Sequence, residues 1–195
     1  MDKENCFSSD DFGEITYYQY LNGDKEKFKV LIEYYGANLI YFINSYVNNI
    51  DIAEDLMEET FCDLIYYKSR FRKKSSFKTY LFSIARNKSI DYLKKSKINV
   101  ISSFDEIEEN ISEDSDLEEM VVRNEQHRQL YKSLAQIHDE YRSVLYLFYF
   151  ENMSYDEISK VMRKTNKQIK NLMYRAKQAL KNIMEKEGIV YEEQR

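Results

Sequence analysis

The chain has 195 residues, of which 32% are charged and 43% hydrophobic, and its formal net charge is −5. Proline is absent and there are only four glycines, the residues that tight turns and β-hairpins usually need, so the composition predicts an all-α protein. The two cysteines, Cys6 and Cys62, are far apart and have no neighbours at ligand spacing, which argues against a disulfide framework or a metal site.

The start of the chain and its apolar runs predict neither a signal peptide nor a membrane span. The first residues, MDKENCFSSDD, lack the basic and apolar regions of a signal peptide. The longest apolar run, VLYLFYF at 144–150, is far too short to cross a bilayer. We therefore expect a cytoplasmic protein.

Charge is distributed along the chain in three blocks. Residues 62–97 contain eleven Lys or Arg and two acids, a net charge of +9, whereas residues 104–119 contain nine acids and no base. Residues 160–184 contain eight bases and no acid. A single run of charge is usually a solvated face. Two basic blocks inside helical segments instead indicate binding to nucleic acid, driven by the release of counterions.

A first helical domain is predicted at 15–97, after a variable tail at 1–14. Apolar residues recur with helical spacing in 26–48 and in 51–67, which predicts two amphipathic helices. The second of these helices carries a row of polar side chains along another face, mostly acidic: Asp51, Glu54, Asp55, Glu58 and Cys62. This acidic face is either a docking surface for a basic partner or a solubilising surface, and composition alone leaves both open.

The next segment combines aromatic and basic residues. A short basic loop, FRKKSSF at 71–77, leads into a helix predicted at 77–96, and Ser75 or Ser76 can cap that helix. Rings interleaved with bases can form a platform for single-stranded nucleic acid, in which each stacked base contributes about 1–3 kcal/mol. The alternative is that Phe71, Phe77 and Tyr80 are core residues, since aromatic side chains are mostly buried.

These blocks resemble region 2 of the sigma-70 superfamily, in its extracytoplasmic-function (ECF) form. The resemblance is carried by GDKEKF at 23–28, AEDLMEETF at 53–61, RF at 70–71 and FKTYLFSIARNKSIDYLKK at 77–95. It implies that the acidic helix docks on the β′ clamp of core RNA polymerase through Asp55, Glu58, Glu59 and Phe61. It also implies recognition of the opened −10 promoter strand by Phe71, Arg72, Phe77, Thr79, Tyr80, Arg86 and Asn87.

Two positions depart from the pattern of the family. Glu58 stands where Gln is common, and its extra charge is expected to alter the response of the clamp contact to salt. Tyr80 stands where Trp is common, but a tyrosine ring keeps a stacking face. Asn87 fits a reading role, because its amide both donates and accepts hydrogen bonds.

A flexible acidic linker is predicted at 98–122, followed by a second helical domain at 123–187 and a tail at 188–195. Apolar stripes predict helices at 123–137 and 139–151. Two capping boxes follow, SYDE at 154–157 and TNKQ at 165–168, so that a short helix, a tight turn and a longer basic helix at 166–184 form a helix-turn-helix. The alternative is an ordinary helical bundle with a solvated basic helix. The outward residues of the last helix include Asn166, Lys167, Lys170, Asn171, Tyr174 and Gln178.

The second domain resembles sigma region 4, through YRSVLYLFYFENMSYDEISKVM at 141–162 and IKNLMYRAKQAL at 169–180. The resemblance implies contact with the β flap of polymerase and recognition of the −35 element. The residues predicted to face that element are Lys167, Gln168, Lys170, Asn171, Tyr174 and Arg175. Arg163 and Lys167 stand where glycines are usual, so the turn is expected to be strained or differently shaped. Leu172 stands where many members have Arg.

The leading hypothesis is therefore a sigma factor, whose partners are core RNA polymerase and promoter DNA, with an anti-sigma factor as a candidate regulator. The sequence contains no Walker loop, metal cluster or nucleophile–base pair, so we expect neither an enzyme nor a cofactor. Two alternatives stay open: a helix-turn-helix regulator that binds duplex DNA without polymerase, and an adaptor that binds only acidic proteins.

Overall fold

A computed structural model describes residues 9–67, 71, 74–102, 133–134 and 136–186. Over these residues the secondary structure consists of α-helices without strands, which confirms the all-α prediction. The helices are α1 (Ser9–Leu21), α2 (Glu26–Val47), α3 (Ile50–Tyr66), α4 (Phe77–Ser102), α5 (Asp139–Tyr149), α6 (Tyr155–Met162) and α7 (Asn166–Lys186). No helix in this part of the chain combines the length and apolar character needed to cross a membrane.

The first domain is built by α1 to α4 around the apolar stripe of α2. Leu31, Leu39 and Phe42 of α2 are fully buried, as are Leu64 of α3 and Leu81 of α4. Burial of a side chain of this size stabilises the fold by about 1.5–3 kcal/mol. The predicted apolar faces of the two segments 26–48 and 51–67 therefore meet in one core.

Helix α1 begins at Ser9, within the segment predicted to be a variable tail at 1–14. Its sequence, SDDFGEITYYQYL, has no clean apolar stripe, which is why periodicity did not reveal its start. Gly13 is buried, and Tyr17 is inaccessible to solvent and donates from its hydroxyl to the carbonyl of Leu64 at 3.0 Å. Burial raises the pKa of Tyr17 to about 12. The chain before residue 15 thus contributes to the core.

Helix α4 extends to Ser102, beyond the predicted start of the linker at residue 98. The segment INVI at 98–101 continues the helix because it contains no glycine or proline to end it. Linker residues 103–122 lie outside the described residues, as do most of the helix predicted at 123–137 and the tail at 188–195.

The second domain is formed by α5, α6 and α7. Leu145 and Leu147 of α5 pack with Ile158 of α6 and with Ile169 and Met173 of α7, and all five are buried. The imidazole Nδ1 of His138 accepts from the amide of Glu140 at 3.3 Å and caps α5. The predicted helices 139–151 and 166–184 agree with α5 and α7 within two residues at each end.

The two domains pack directly against each other. The hydroxyls of Ser45 on α2 and Ser143 on α5 lie 3.0 Å apart in a buried contact, and Tyr146 donates to the carbonyl of Asn38 at 3.1 Å. The rings of Phe42 and Tyr146 also meet, with centroids 6.3 Å apart. Helix α6 lies on the N-terminal part of α4. We call this packed form the closed arrangement. The sequence predicted a flexible linker between the domains but not this contact.

Candidate nucleic-acid and polymerase interfaces

The outer face of α7 presents every residue predicted to face the −35 element. These residues are all exposed: Lys167, Gln168, Lys170, Asn171, Tyr174 and Arg175. The opposite face holds the helix in the domain through Ile169, Met173 and Ala176, which are buried. Leu172 is half-buried beside them. The helix therefore separates an apolar inner face from an outer face made of donors, acceptors and cations.

Both predicted capping boxes are present and fix the helix-turn-helix. Ser154 caps α6, with Glu157 accepting from the Ser154 amide at 3.0 Å and the Glu157 amide donating to the Ser154 hydroxyl at 3.3 Å. Gln168 Oε1 accepts from the backbone amide of Thr165 at 2.8 Å, and the backbone amide of Gln168 donates to the Thr165 hydroxyl at 3.3 Å. Because Gln168 Oε1 serves the cap, this acceptor is already engaged at the start of α7.

The turn between α6 and α7 is strained at Arg163. Its φ of 52° and ψ of 45° lie in the left-handed region, where a side chain costs roughly 1–2 kcal/mol relative to glycine. This agrees with the expectation drawn from the missing glycine. Lys167 lies inside the first turn of α7, where no glycine is needed. Lys164 pairs with Glu140 at 3.1 Å and ties the turn to α5.

The side chain of Asn166 fixes α7 relative to α6. Its amide donates to the carboxylate of Asp156. The sequence predicts that Asn166 faces outward on the last helix, and it is exposed. Its side-chain amide is therefore engaged within the helix-turn-helix.

The rings of the predicted single-strand platform lie mostly inside the first domain. Phe71 is 8% exposed and Phe77 is fully buried, with ring centroids 5.7 Å apart, while Tyr80 is half-buried with its ring 5.3 Å from Phe71. Thr79 is buried as well. For Phe71 and Phe77, burial within the first domain agrees with the core interpretation that the sequence left open. Arg72 lies outside the described residues.

Arg86 and Asn87 line a cavity of about 380 Å³ at the junction of the two domains. Both side chains are half-buried, and Arg163 of the strained turn faces the same cavity. Arg86 and Asn87, which are predicted to recognise the −10 element, are thus on the same side of α4. Arg163 of the second domain faces them across the cavity.

The acidic face of α3 is exposed along its length. Asp55, Glu58 and Glu59 are accessible, whereas Phe61 is 3% exposed and packs edge-on against Phe28 at 5.9 Å. Glu59 accepts from Lys88 of α4 at 3.1 Å. The carboxylates therefore form the accessible part of the predicted clamp surface, and Phe61 supports the helix from behind.

Comparison with known proteins decides the family. The family model described as Sigma-70 region 2 matches residues 31–98, and that described as Sigma-70, region 4 matches residues 127–180. The ECF RNA polymerase sigma factor SigM of Bacillus subtilis is 30% identical over 158 residues, covering 78% of this chain and 92% of that protein. SigX of the same organism is 28% identical over 165 residues, covering 83% of this chain and 85% of that protein.

The chain belongs to the ECF group of the sigma-70 family. As a sigma factor it is a transcription initiation factor and not an enzyme. The sigma factor RpoE of Bartonella quintana, solved in complex with the anti-sigma factor NepR, shares the fold with a TM-score of 0.63. It is 23% identical, and the match covers 82% of this chain and 98% of that one.

Sequence reasoning on this sigma factor missed the residues that join its two domains. Lys78 of α4 forms an ion pair of 2.6 Å with Glu151, and Glu157 of α6 accepts hydrogen bonds from Ser76 and Thr79. One feature of the sequence indicated that Glu151 is buried. This acid directly follows the most apolar run of the chain, where the helix pattern predicts burial. Its partner was not predictable, because Lys78 is 73 residues away.

Proposed function

We propose that this sigma factor binds core RNA polymerase and directs promoter-specific initiation, reading the −35 element as duplex and the −10 element as opened strand. It acts in the cytoplasm, together with the polymerase. The observation that carries the proposal is the outer face of α7. It exposes six side chains capable of base or phosphate contact, on a helix whose start is fixed by a capping box.

The chemistry of α7 suits a major groove. Lys170 and Arg175 supply cations for phosphates or guanine edges, and Asn171 supplies a paired donor and acceptor for a base edge. Each good base contact discriminates by about 1–3 kcal/mol. No acid occurs between residues 160 and 184 to repel the DNA backbone.

The proposal for the −10 element places single-strand contact on the N-terminal part of α4. Thr79, Tyr80, Arg86 and Asn87 share this helix, and the basic loop at 71–77 precedes it. Extruding a base costs a few kcal/mol, which stacking and edge hydrogen bonds must offset. Since Phe71 and Phe77 are buried within the first domain, we assign them to support of the loop. Tyr80 is the accessible ring of the set.

For polymerase, the proposed contacts are the exposed carboxylates of α3 with the β′ clamp and the second domain with the β flap. An exposed acidic row on a rigid helix suits a basic partner, and Glu58 adds a charge to that row. We also propose an anti-sigma factor as regulator. This rests on the fold shared with a sigma factor solved in such a complex.

Reconstitution with core polymerase tests the proposed function. We expect promoter-specific transcripts that depend on the added chain. A chain that binds duplex DNA tightly by itself and never binds core enzyme is instead a helix-turn-helix regulator, which is the alternative. A chain that binds no DNA in either setting refutes both.

Asn87→Ala tests the −10 assignment within the same assay. We expect open-complex formation, measured by permanganate reactivity of unpaired thymines, to fall more than core binding. Asn182→Ala, on the exposed C-terminal part of α7, is the matched control. Equal loss of core binding and promoter opening would remove Asn87 from the base-reading set.

A further inference from the structure

A cavity of about 380 Å³ lies between the middle of α4 and the turn that joins α6 to α7. One wall is a single face of α4, because positions 86, 90 and 94 follow one another at helical spacing and 87 and 91 lie beside them. The residues of this wall are Arg86, Asn87, Ile90, Asp91 and Lys94, and Arg163 of the turn faces them. The volume is within the range of small-molecule sites, roughly 300–1,000 Å³.

The charge that lines this cavity is mainly that of two guanidinium groups. The carboxylate of Asp91 lies 3.4 Å from Lys94, and these two side chains are 65% and 68% exposed, so Asp91 has a cation of its own. Within the part of the chain that the structure describes, neither Arg86 nor Arg163 forms an ion pair, and Nε of Arg86 is buried without a hydrogen-bond partner. Two like charges that face one space repel each other, and a bound anion would remove this repulsion.

The backbone at Arg163 gives a second, independent indication of a binding site. Its φ of 52° and ψ of 45° lie in the left-handed region, which favours glycine. The turn is held in this form because the amides of Arg163 and Lys164 both donate to the carbonyl of Ser159. Residues kept in such conformations cluster at ligand sites. Glycine would relieve the strain at this position but would leave the cavity without its second guanidinium group.

We propose that Arg86 and Arg163 bind the diphosphate group of a small molecule, either free pyrophosphate or a nucleoside diphosphate. A guanidinium group has a planar fork of donors that fits one phosphate through two parallel hydrogen bonds, so two such groups fit two adjacent phosphates. The amide of Asn87 adds a neutral donor, and Ile90 supplies an apolar contact for the remainder of a nucleotide. Arg163 belongs to neither set of residues proposed to contact promoter DNA.

The shape of the site favours a small molecule over a nucleic-acid strand. A polynucleotide continues in both directions from each phosphate and needs an open groove, whereas this space lies between two walls. The ligand contacts α4 and the turn together, so its binding stabilises the arrangement in which they are adjacent. The inference goes beyond the proposed function, because binding of a diphosphate is measured without polymerase or promoter.

Isothermal titration calorimetry of the whole chain tests the site with pyrophosphate, ADP and GDP. Orthophosphate is the reference, and about 0.15 M sodium chloride screens weak surface binding. We expect at least one diphosphate to bind about tenfold tighter than orthophosphate, because it contacts both guanidinium groups. Tighter binding of ADP or GDP than of pyrophosphate identifies a nucleotide, and the reverse order identifies the free anion. Orthophosphate that binds as tightly as every diphosphate overturns the proposal.

Arg163→Gln tests the contribution of the second domain. We expect the tightest diphosphate to bind about tenfold more weakly, since a charge-assisted hydrogen-bond pair is lost. The matched control is Arg175→Gln, which removes an exposed arginine of the same domain outside this cavity. An equal loss in the control would show attraction to the basic domain in general and would refute the site. So would an equal loss of oligothymidylate binding in Arg163→Gln, which would indicate a single-strand site instead.

Asp91→Asn is expected to increase the affinity, a result that misfolding cannot produce. It removes the one carboxylate that lines the cavity, and we expect the diphosphate to bind about threefold tighter because a partly screened negative charge is gone. Asp24→Asn, at an exposed position before α2, is the control and should leave the affinity unchanged. Unchanged or weaker binding by Asp91→Asn contradicts the assigned cavity.

Hydrogen exchange shows whether both walls contact the ligand. With the tightest of these diphosphates at saturation, we expect slower amide exchange in residues 86–94 of α4 and in residues 161–166 at the turn. Slower exchange in only one of the two segments overturns a site formed by both domains. The measurement uses the unaltered whole chain, so it does not depend on how any variant folds.

Discussion

Two glycines in the first domain are predicted to respond in opposite ways to the same substitution. A Cβ at Gly13 would lie 2.7 Å from a ring carbon of Phe77 and closer still to the hydroxyl of Tyr35. A Cβ at Gly36 would have its nearest neighbour at 3.9 Å, the end of the Ile32 side chain. Both residues lie inside helices, α1 and α2, so intrinsic helix propensity is the same for the two changes.

The magnitudes follow from packing and propensity. Replacing glycine by alanine within a helix stabilises it by about 1 kcal/mol. Overpacking costs about 1–3 kcal/mol, and the upper part of this range applies at Gly13 because both neighbours are large buried rings. We therefore expect Gly13→Ala to lower the free energy of unfolding by about 2 kcal/mol, and Gly36→Ala to raise it by about 1 kcal/mol.

Urea denaturation followed by circular dichroism measures both changes through the midpoint at constant slope. The Gly36 variant is the matched control, because it makes the same chemical change without a close neighbour. If Gly13→Ala is as stable as the unaltered chain, α1 does not pack on Tyr35 and Phe77 as described. If both variants lose stability alike, the reasoning from local space is wrong.

Three further predictions concern the helix-turn-helix and the domain contact. Arg163→Gly should raise the free energy of unfolding by about 1 kcal/mol by removing left-handed strain, whereas Arg163→Ala should not; equal urea midpoints for the two variants would contradict this. Lys170→Ala should weaken promoter binding and make its salt dependence shallower by about one phosphate contact, while Lys181→Ala, near the other end of α7, should leave the slope unchanged. Because the pKa of Glu157 is lowered from 4.5, its stabilising effect is complete above that pH and is lost as the pH falls through the lowered value. The difference in urea midpoint between the unaltered chain and Glu157→Gln should therefore vanish in acid; a constant difference would show that the carboxylate is not the cause.

The sequence predicted those parts of the fold that depend on neighbouring residues. The N-caps at Ser154 and Thr165 and the apolar spacing of α7 are local signals, so α6 and α7 lie where expected and the outer face of α7 is exposed as expected. The acidic face of α3 is exposed for the same reason. Helical spacing determines which side chains share a face, and the apolar face determines which one is buried.

The features that the sequence did not predict depend on distant residues. Nothing near Lys78 shows that Glu151 will cover it, and nothing near Gly13 shows that two rings of other helices will approach it. The burial of Phe71 and Phe77 has the same origin, since rings next to bases are equally compatible with a surface platform and with a core. Local periodicity predicts a face of a helix, but the partner of that face is a property of the whole fold.

The polar groups between the start of α4 and the second domain affect the lifetime of the closed arrangement. Two hydroxyls, an ammonium group and two carboxylates meet there, and each of them regains water when the helices separate. If the contact were apolar, its opening would expose apolar surface at a free-energy cost of about 25 cal/mol per Å². The exposed apolar patch would then favour aggregation. Separation at this contact would therefore expose polar groups that water can solvate, whereas separation of Phe42 from Tyr146 would expose apolar rings.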